Sequence, residues 1–218
     1  MRVVIAGGHG KIALLLAGLL TRDGHQVHAL IRDPAQAADI TATGGVPVIH
    51  DMERDDPADL VGAVAGSDAV VFAAGAGPGS GVDRKYTVDL GGSVQLADAA
   101  DRAGVRRFVQ ISTMGAGQPP APGTDEVWAA YIDAKTKAED DLRARALDWT
   151  VVRPGMLTDA EGNGLITLGP PPVGRAEVPR ADVAATLASI LVADNTFRRT
   201  LEVVSGQDPI EAAVAAIH

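Results

Sequence analysis

The sequence predicts an α/β fold in which a doubly wound parallel sheet of six to seven strands carries helices on both faces. Short apolar runs of strand length alternate with helix-length segments from end to end of the 218 residues, which is typical of parallel sheets. A glycine-rich turn joins the first apolar run to the first helix. Right-handed crossovers then place the first three strands on one side of the sheet and the next three on the other.

Each element follows from a local signal: strands from apolar runs between turn residues, and helices from apolar residues at helical spacing. Gly91 and Gly92 indicate that their helix packs closely on the sheet or on another subunit. The glycine- and proline-rich stretch 157–178 is expected to be loop with short strands. The expected strands span 3–6, 26–31, 46–49, 68–75, 107–112, 149–153 and 200–204. The expected helices span 11–22, 35–43, 57–65, 82–103, 126–146, 180–192 and 209–217.

Composition argues against several kinds of protein. The net charge of −9 is a poor match to nucleic acid or to an anionic membrane, and no apolar run reaches the roughly 18 residues of a membrane span. The chain has no cysteine, and its five histidines lack metal-ligand spacing, so we expect no disulfide, thiol nucleophile or metal site. The N-terminus lacks the pattern of a signal peptide. We therefore expect a cytoplasmic protein, monomeric or homodimeric, that binds a small molecule.

The segment GGHGKIA, residues 7–13, has the spacing of a phosphate-binding turn. Its first glycine permits a tight turn, and its third lets the backbone approach a pyrophosphate at the amides of a helix N-terminus. His9 either contacts a phosphate or caps the turn. The strand before and the helix after favour a bound dinucleotide over a purely structural turn. The residues expected to contact the cofactor here are Gly7, His9, Gly10, Lys11 and Ile12.

Arg32, at the end of the second strand, indicates which dinucleotide is bound. An acidic residue at this place accepts hydrogen bonds from ribose hydroxyls and favours NAD, whereas an arginine pairs with a 2′-phosphate. We therefore expect NADP(H), with NAD(H) as the alternative. After the third strand, Asp51 and Met52 fall where an adenine edge and ring would lie, or they belong to an acidic surface loop.

The segment YIDAK supplies a candidate acid–base pair. Tyr131 and Lys135 are one helical turn apart and share a face. A tyrosine, whose ordinary pKa is about 10, needs its phenolate favoured by about 2–3 units to act near neutral pH, and a lysine with an oxidised nicotinamide could supply much of that. Lys135 could also hold the nicotinamide ribose. Ser112 and Thr113, after the fifth strand, could orient a carbonyl or alcohol oxygen, which suits hydride transfer. The alternative is an i,i+4 pair on a solvated helix face.

Together these motifs resemble the atypical short-chain dehydrogenase/reductase families, in particular the small NmrA-like and YhfK-like NAD(P)-binding proteins of Rossmann type. The resemblance covers nearly the whole chain. It is carried by AGGHGKIA, LIRDP, DMERD, VVFAAGAG, KYTVDLGGSVQLADAADRAGVRRFVQISTMGA, YIDAK, WTVVRPGMLTD, VPRADVAA and LEVVSGQDPIEAA. No linker divides the chain, so we expect one NAD(P)-binding domain over residues 1–218. The glycine- and proline-rich segment after residue 155 indicates that residues 156–218 add a small substrate-side portion.

The resemblance also implies further cofactor contacts. The residues after the fourth strand, Ala73, Ala74 and Gly75, are expected to line the cofactor. Pro154 and Gly155, after the sixth strand, are expected to back the nicotinamide.

The resemblance implies an activity as well. The expected protein is an NADP(H)-dependent oxidoreductase acting on a small carbonyl or alcohol, with Tyr131 as general acid/base and Thr113 preferred to Ser112 as the working hydroxyl. Asp182 is expected to fix the fold rather than to bind substrate. The alternatives are an NAD(P)H-binding sensor without turnover and an NAD(P)-dependent epimerase or dehydratase.

Overall fold

A computed structural model describes residues 1–77 and 79–218. It contains eleven strands, nine of which form one central sheet. In chain order the strands are β1 (Arg2–Ala6), β2 (Gln26–Ile31), β3 (Val46–Ile49), β4 (Ala69–Phe72), β5 (Arg107–Ile111), β6 (Asp148–Pro154), β7 (Met156–Thr158), β8 (Leu165–Gly169), β9 (Glu177–Pro179), β10 (Arg199–Ser205) and β11 (Asp208–Pro209).

The sheet confirms the expected doubly wound topology. Its order is β3-β2-β1-β4-β5-β6-β10-β8-β11, so the direction of winding reverses between β1 and β4. The seven strands from β3 to β10 pair in parallel. The sheet is larger than expected because β8 and β11 add an antiparallel edge beyond β10. β8 is one of the short strands expected within 157–178, whereas β11 immediately precedes the last helix and overlaps the start of the helix expected over 209–217. β7 and β9 form a separate parallel pair.

Helices cover both faces of the sheet. They are α1 (Lys11–Arg22), α2 (Ala37–Ala42), α3 (Pro57–Val64), α4 (Val82–Arg84), α5 (Ser93–Ala103), α6 (Glu126–Arg143), α7 (Arg180–Leu191) and α8 (Ile210–Ala215). Alternate residues of β1 separate two cores: Val3 and Ile5 pack under α1, α7 and α8, while Val4 and Ala6 pack under α3, α5 and α6.

The expected single α-helix over 82–103 is wrong in its first half. After α4 the chain widens into a π-helical segment, Lys85–Gly92, before α5 begins. A Cβ on Gly92 would lie 3.1 Å from Sδ of Met52 and 3.4 Å from the ring of Phe72, so this glycine lets the helix pack closely on the sheet. The segment also carries two buried charged residues, Lys85 and Asp89. Such widened turns occur often at functional sites.

Candidate cofactor and active site

A cleft of about 310 Å³ opens at the carboxyl ends of β1 to β4. It lies where the winding of the sheet reverses, which is the usual place for ligands in open α/β sheets. Nine of the expected cofactor residues line it. They are Gly7, His9, Gly10, Arg32, Asp51, Met52, Ala73, Ala74 and Gly75. The cleft is further lined by Gly8, Leu30, Ile31, Gln36, His50, Glu53, Ala76, Arg84 and Val88.

The floor of the cleft consists of backbone because larger residues do not fit there. Gly7 has a φ of +75°, and a Cβ on it would lie 2.5 Å from Cα of Ala74. A Cβ on Gly8 would lie 2.6 Å from Cβ of Ala29 in the neighbouring strand. Gly10 is the N-cap of α1 and places no side chain over the first-turn amides. The helix N-terminus can therefore receive an anion through its backbone N–H groups.

The side chains near this turn are bonded elsewhere. His9 Nε2 lies 2.6 Å from Oδ2 of Asp39 in α2. The ammonium of Lys11 donates to Asp159 at 2.5 Å, and Arg180 donates to the other oxygen of that carboxylate at 2.7 Å. The hydrogen bond from Lys11 and the charge of Arg180 lower the pKa of Asp159. Ile12 packs against the core. Lys11 and Ile12 therefore do not line the cleft, and only their backbone amides are placed to contact a ligand.

The far end of the cleft contains a carboxylate that the sequence analysis missed. Glu53 accepts from the guanidinium of Arg84 at 2.6 Å and from the hydroxyl of Thr87 at 2.7 Å. Its oxygen lies 3.8 Å from the guanidinium of Arg32. The hydrogen bond from Arg84 is the main cause that lowers the pKa of Glu53, and the same bond raises the pKa of Arg84. Arg32 lines the cleft as expected, but it shares its surroundings with an acidic residue.

Asp51 and Met52 are both placed at this end of the cleft. One oxygen of Asp51 accepts from the amide of Glu53 at 2.9 Å, so the carboxylate also shapes the turn that follows β3. Met52 packs against the core beneath the cleft. Both earlier interpretations of Asp51 are therefore compatible with its position, since it lines the cleft and belongs to an acidic loop.

The structure brings Tyr131 and Lys135 onto one face of α6. The ammonium nitrogen of Lys135 lies 5.9 Å from the centroid of the Tyr131 ring. It is buried, donates to the carbonyl of Ile111 at 3.3 Å, and lies 3.2 Å from Oδ1 of Asp89. The ring of Tyr131 packs against that of Trp128, with centroids 5.2 Å apart. Lys135 is therefore buried at the end of β5 and not solvated, while Tyr131 beside it is half-buried.

Asp89 connects this pair to the wall of the cleft. Its Oδ2 accepts from the amide of Ala76 at 3.0 Å, and a Cβ on Gly75 would lie 3.1 Å from its Oδ1. Gly75 and Ala76 both line the cleft. Only one buried carboxylate therefore separates Lys135 from the cleft wall, and Tyr131 lies beside that lysine.

The two candidate hydroxyls have different surroundings. Ser112 donates to Glu139 at 2.5 Å, and that fully buried carboxylate also accepts from Arg153 at 2.6 Å and from Arg143 at 2.5 Å. The Ser112 hydroxyl is thus bound within a buried network. Among the residues that the structure describes, the hydroxyl of the half-buried Thr113 donates only to the adjacent carbonyl of Met114, over a long distance of 3.4 Å. Thr113 is the hydroxyl that is more readily available to a substrate.

The remaining expected residues lie outside the lining of the cleft. Gly155 faces the carbonyl of Ala176 and the side chain of Val204 so closely that a Cβ would not fit. Pro154 is the last residue of β6. Asp182 is buried and accepts from the amides of residues 163 and 164, so it fixes that loop.

The comparisons with known proteins agree with this geometry. A family profile described as NAD(P)H-binding matches residues 7–194. The chain belongs to the NAD(P)H-binding family. The Bacillus subtilis (strain 168) protein named uncharacterized sugar epimerase YhfK is 32% identical over 215 residues, which cover 98% of this chain and 99% of that protein. The expected resemblance to YhfK-like proteins is thereby confirmed.

Solved structures in the comparison share the same fold. A Bacillus halodurans protein provisionally assigned as an NAD-dependent epimerase/dehydratase is 34% identical, with a TM-score of 0.91 and coverage of 99% of both chains. The oxidoreductase ylbE of Lactococcus lactis is 28% identical, with a TM-score of 0.84 over 100% of this chain and 96% of its own. Among the helices of residues 1–77 and 79–218, none has the length and apolar character to cross a membrane.

Within this NAD(P)H-binding family member, sequence reasoning missed four charged residues of the site. Glu53 and Arg84 meet at the cleft, and Lys85 and Asp89 flank the Tyr131–Lys135 pair. All four look like ordinary surface charges in the sequence. The one available signal for the last two was the pair of glycines at 91 and 92, of which Gly92 allows the helix to approach the sheet.

Proposed function

We propose that the protein is an NADP(H)-dependent oxidoreductase of the short-chain dehydrogenase/reductase type, acting on a small carbonyl or alcohol. The observation that carries this proposal is the position of Tyr131 and Lys135. Lys135 lies at the carboxyl end of β5, one buried carboxylate away from the wall of the dinucleotide cleft, and the ring of Tyr131 lies beside it. A phenol held beside lysines at this place can exchange a proton with a substrate oxygen.

When bound, the cofactor would supply the hydride for reduction and accept it in oxidation, and the residues of the chain would bind and orient the reactants and move the proton. The glycine turn and the first-turn amides of α1, including those of Lys11 and Ile12, would hold the pyrophosphate. Residues 73–75 would line the cofactor, and Pro154 with Gly155 would support its nicotinamide end. Tyr131 gives a proton to the substrate oxygen during reduction and takes it back during oxidation. Thr113 orients that oxygen, and Lys135 supports the ring of Tyr131.

A variant of Tyr131 tests the mechanism. Tyr131→Phe is expected to bind cofactor like the parent chain and to lose nearly all turnover of a carbonyl panel, because the proton donor is gone. The chain's other tyrosine offers a matched control, since Tyr86 donates to Asp133 on the outer side of α6. Tyr86→Phe should keep its activity. Full activity in Tyr131→Phe would show that this mechanism is wrong.

The preference for NADP(H) rests on Arg32, which lines the cleft and has its side chain 56% exposed. We expect NADP and NADPH to raise the melting temperature more than NAD and NADH do. Arg32→Ala should remove that difference, because a 2′-phosphate loses its guanidinium partner. Arg54→Ala removes a nearby exposed arginine and is the control. Equal stabilisation by NAD and NADP, unchanged in Arg32→Ala, would overturn the preference.

An epimerase or dehydratase that keeps its cofactor bound is the second candidate. The names of the Bacillus subtilis and Bacillus halodurans proteins favour it. Such an enzyme returns the hydride within each cycle, so it would copurify with cofactor and convert substrate with no net change in reduced nicotinamide. Net oxidation or reduction of added cofactor during turnover supports the oxidoreductase instead. Binding without any turnover would indicate a sensor.

The proposal includes a small-molecule substrate and a cytoplasmic location for a monomer or homodimer. The net charge of −9 supports a protein that binds neither nucleic acid nor anionic membranes. Residues 156–218, which supply β7 to β11 with α7 and α8, are proposed to shape the substrate side of a single domain.

A further inference from the structure

Two lysines lie beside the ring of Tyr131, and only one of them has a carboxylate partner. The ammonium nitrogen of Lys85 lies 5.6 Å from the ring centroid, and that of Lys135 lies 5.9 Å from it. Lys135 is paired with Asp89 at 3.2 Å, and both members of this pair are buried. The charge of Asp89 therefore offsets that of Lys135.

Lys85 is buried among neutral groups. Its ammonium donates to the carbonyl of Gly77 at 3.2 Å and to the hydroxyl of Ser80 at 2.8 Å, and within the described part of the chain it meets no carboxylate. The side chain is only 8% exposed. By contrast, the guanidinium of the preceding residue, Arg84, forms a salt bridge with the carboxylate of Glu53. Burying an ammonium without a counter-ion costs free energy, so an anion that forms beside it, such as the phenolate of Tyr131, is stabilised.

We propose that Lys85 is the positioning residue that stabilises the phenolate of Tyr131, while Lys135 with Asp89 anchors α6 to the carboxyl end of β5. This inference rests on the proposed role of Tyr131 and changes which lysine supplies the charge. The π-helical segment after α4 allows Lys85 and Asp89 to face α6 from the same stretch of chain. The uncompensated positive charge beside the phenol then belongs to Lys85.

Other charged groups near Tyr131 are paired with one another on the outer side of α6. Asp133 accepts from Lys137 at 2.6 Å and from the hydroxyl of Tyr86 at 2.8 Å. The hydrogen bond to Asp133 raises the pKa of Tyr86. Among the described residues, the charged groups over the Tyr131 ring are thus Lys85 from the π-helical segment and Lys135 from α6, with Asp89 in contact with Lys135.

The ionisation of Tyr131 can be measured without a substrate. The chain has two tyrosines, so in a Tyr86→Phe background the tyrosinate absorbance reports Tyr131 alone. In the cofactor-free chain, adding Lys85→Met is expected to raise the midpoint of this titration by about one pH unit or more, because the phenolate loses a nearby cation. Lys85→Arg should restore the midpoint of the background. An unchanged midpoint in Lys85→Met overturns the inference.

Lys137→Met is the matched control, because it removes the same charge from an exposed position on α6. Its midpoint should move by a few tenths of a pH unit at most. Equal shifts in Lys85→Met and Lys137→Met would overturn the inference. Circular dichroism across the titration checks that each variant is folded.

Asp89→Asn provides a second measurement that keeps every lysine in place. It leaves Lys135 unneutralised, so the midpoint should fall, and an unchanged midpoint would contradict the charge cancellation on which the inference depends. The titrations are independent of catalysis. If they behave as expected while Tyr131→Phe retains full activity, the proposed function fails and the assignment of Lys85 stands.

Discussion

The carboxyl ends of β1 to β4 and those of β5 and β6 belong to one sheet but are constructed differently. At the first group the chain presents backbone and small side chains, as at Gly7, Gly8 and Ala74, and a cleft remains open. At the second group a buried network fills the space, with Glu139 accepting from Ser112 and Arg153.

This difference separates two ways of making a site. A backbone surface binds an extended anion through its amides, and it loses that binding when an added atom blocks the amides. A buried charge network holds side chains in place, and the fold loses stability when one of its charges is removed. Substitutions that add atoms on one side and remove charges on the other therefore test the comparison directly.

The largest expected effect is at the network. Glu139→Gln keeps the shape of the side chain but leaves the buried Arg153 without its counter-ion, and we expect the free energy of unfolding to fall by about 3–5 kcal/mol. Urea denaturation measures it. The control is Asp140→Asn, which breaks an exposed pair with Arg143 and should cost less than about 1 kcal/mol. Similar losses in both variants would show that the burial of the network has no special effect.

The second-largest effect is expected at the backbone floor of the cleft. Gly7→Ala adds a methyl group beside Ala74 at a left-handed φ, and we expect a loss of about 2 kcal/mol or more, together with loss of the thermal shift given by NADP(H). Gly18→Ala is the matched control, because nothing lies within 4 Å of its added Cβ. In the interior of α1 this alanine should raise stability by up to about 1 kcal/mol. An unimpaired NADP(H) response in Gly7→Ala would separate this turn from the cofactor.

A smaller effect is expected at the charged end of the cleft. Glu53→Gln removes the carboxylate near Arg32 and Arg84, so both guanidinium groups become available to a 2′-phosphate. We expect the affinity for NADPH to rise about tenfold relative to NADH, equivalent to about 1.4 kcal/mol. Fluorescence titration of both cofactors measures this, with Glu211→Gln on α8 as the control. An equal gain for both cofactors would argue against a 2′-phosphate contact.

The smallest effect is a pH dependence of the same pair. Glu53 has a pKa below its ordinary value of 4.5, mainly because of the hydrogen bond from Arg84. The unfolded state therefore binds the proton more readily, and stability from the pair is complete above that ordinary value and is lost as the pH falls through the lower folded value. The stability difference between the parent and Glu53→Gln should be below about 1 kcal/mol because solvent screens the pair. Urea denaturation of both proteins at several pH values should show that this stability difference is constant above about pH 5 and decreases below about pH 4. A difference that stays constant throughout would contradict the role of the Glu53 charge.

The sequence predicted those features that depend only on residues close together in the chain. The turn at 7–10 and the pair of Tyr131 with Lys135 each lie within one short segment, so spacing alone places them. The winding of the sheet followed from the alternation of strands and helices. The partners of Lys135 and Ser112 could not be predicted, because Asp89 and Glu139 reach them from other elements through tertiary packing.

The position of the short strands in the sheet could not be predicted for a related reason. The stretch 157–178 indicates short strands within a loop, but the antiparallel pairing of β8 with β10 depends on residues distant in the chain. Likewise, the helix expected over 82–103 widens at Lys85–Gly92, where buried charges and close packing on Phe72 replace regular α-helical packing.

The two cores also differ in when a growing chain can complete them. Every residue of the core beneath α3, α5 and α6 lies at or before Val151. The opposite core joins Leu16 and Leu20 of the first helix to Val214 and Ile217 near the last one. During synthesis one face of the sheet can therefore close early, while the apolar face of α1, which begins at the glycine turn, stays uncovered until nearly the whole chain has emerged from the ribosome.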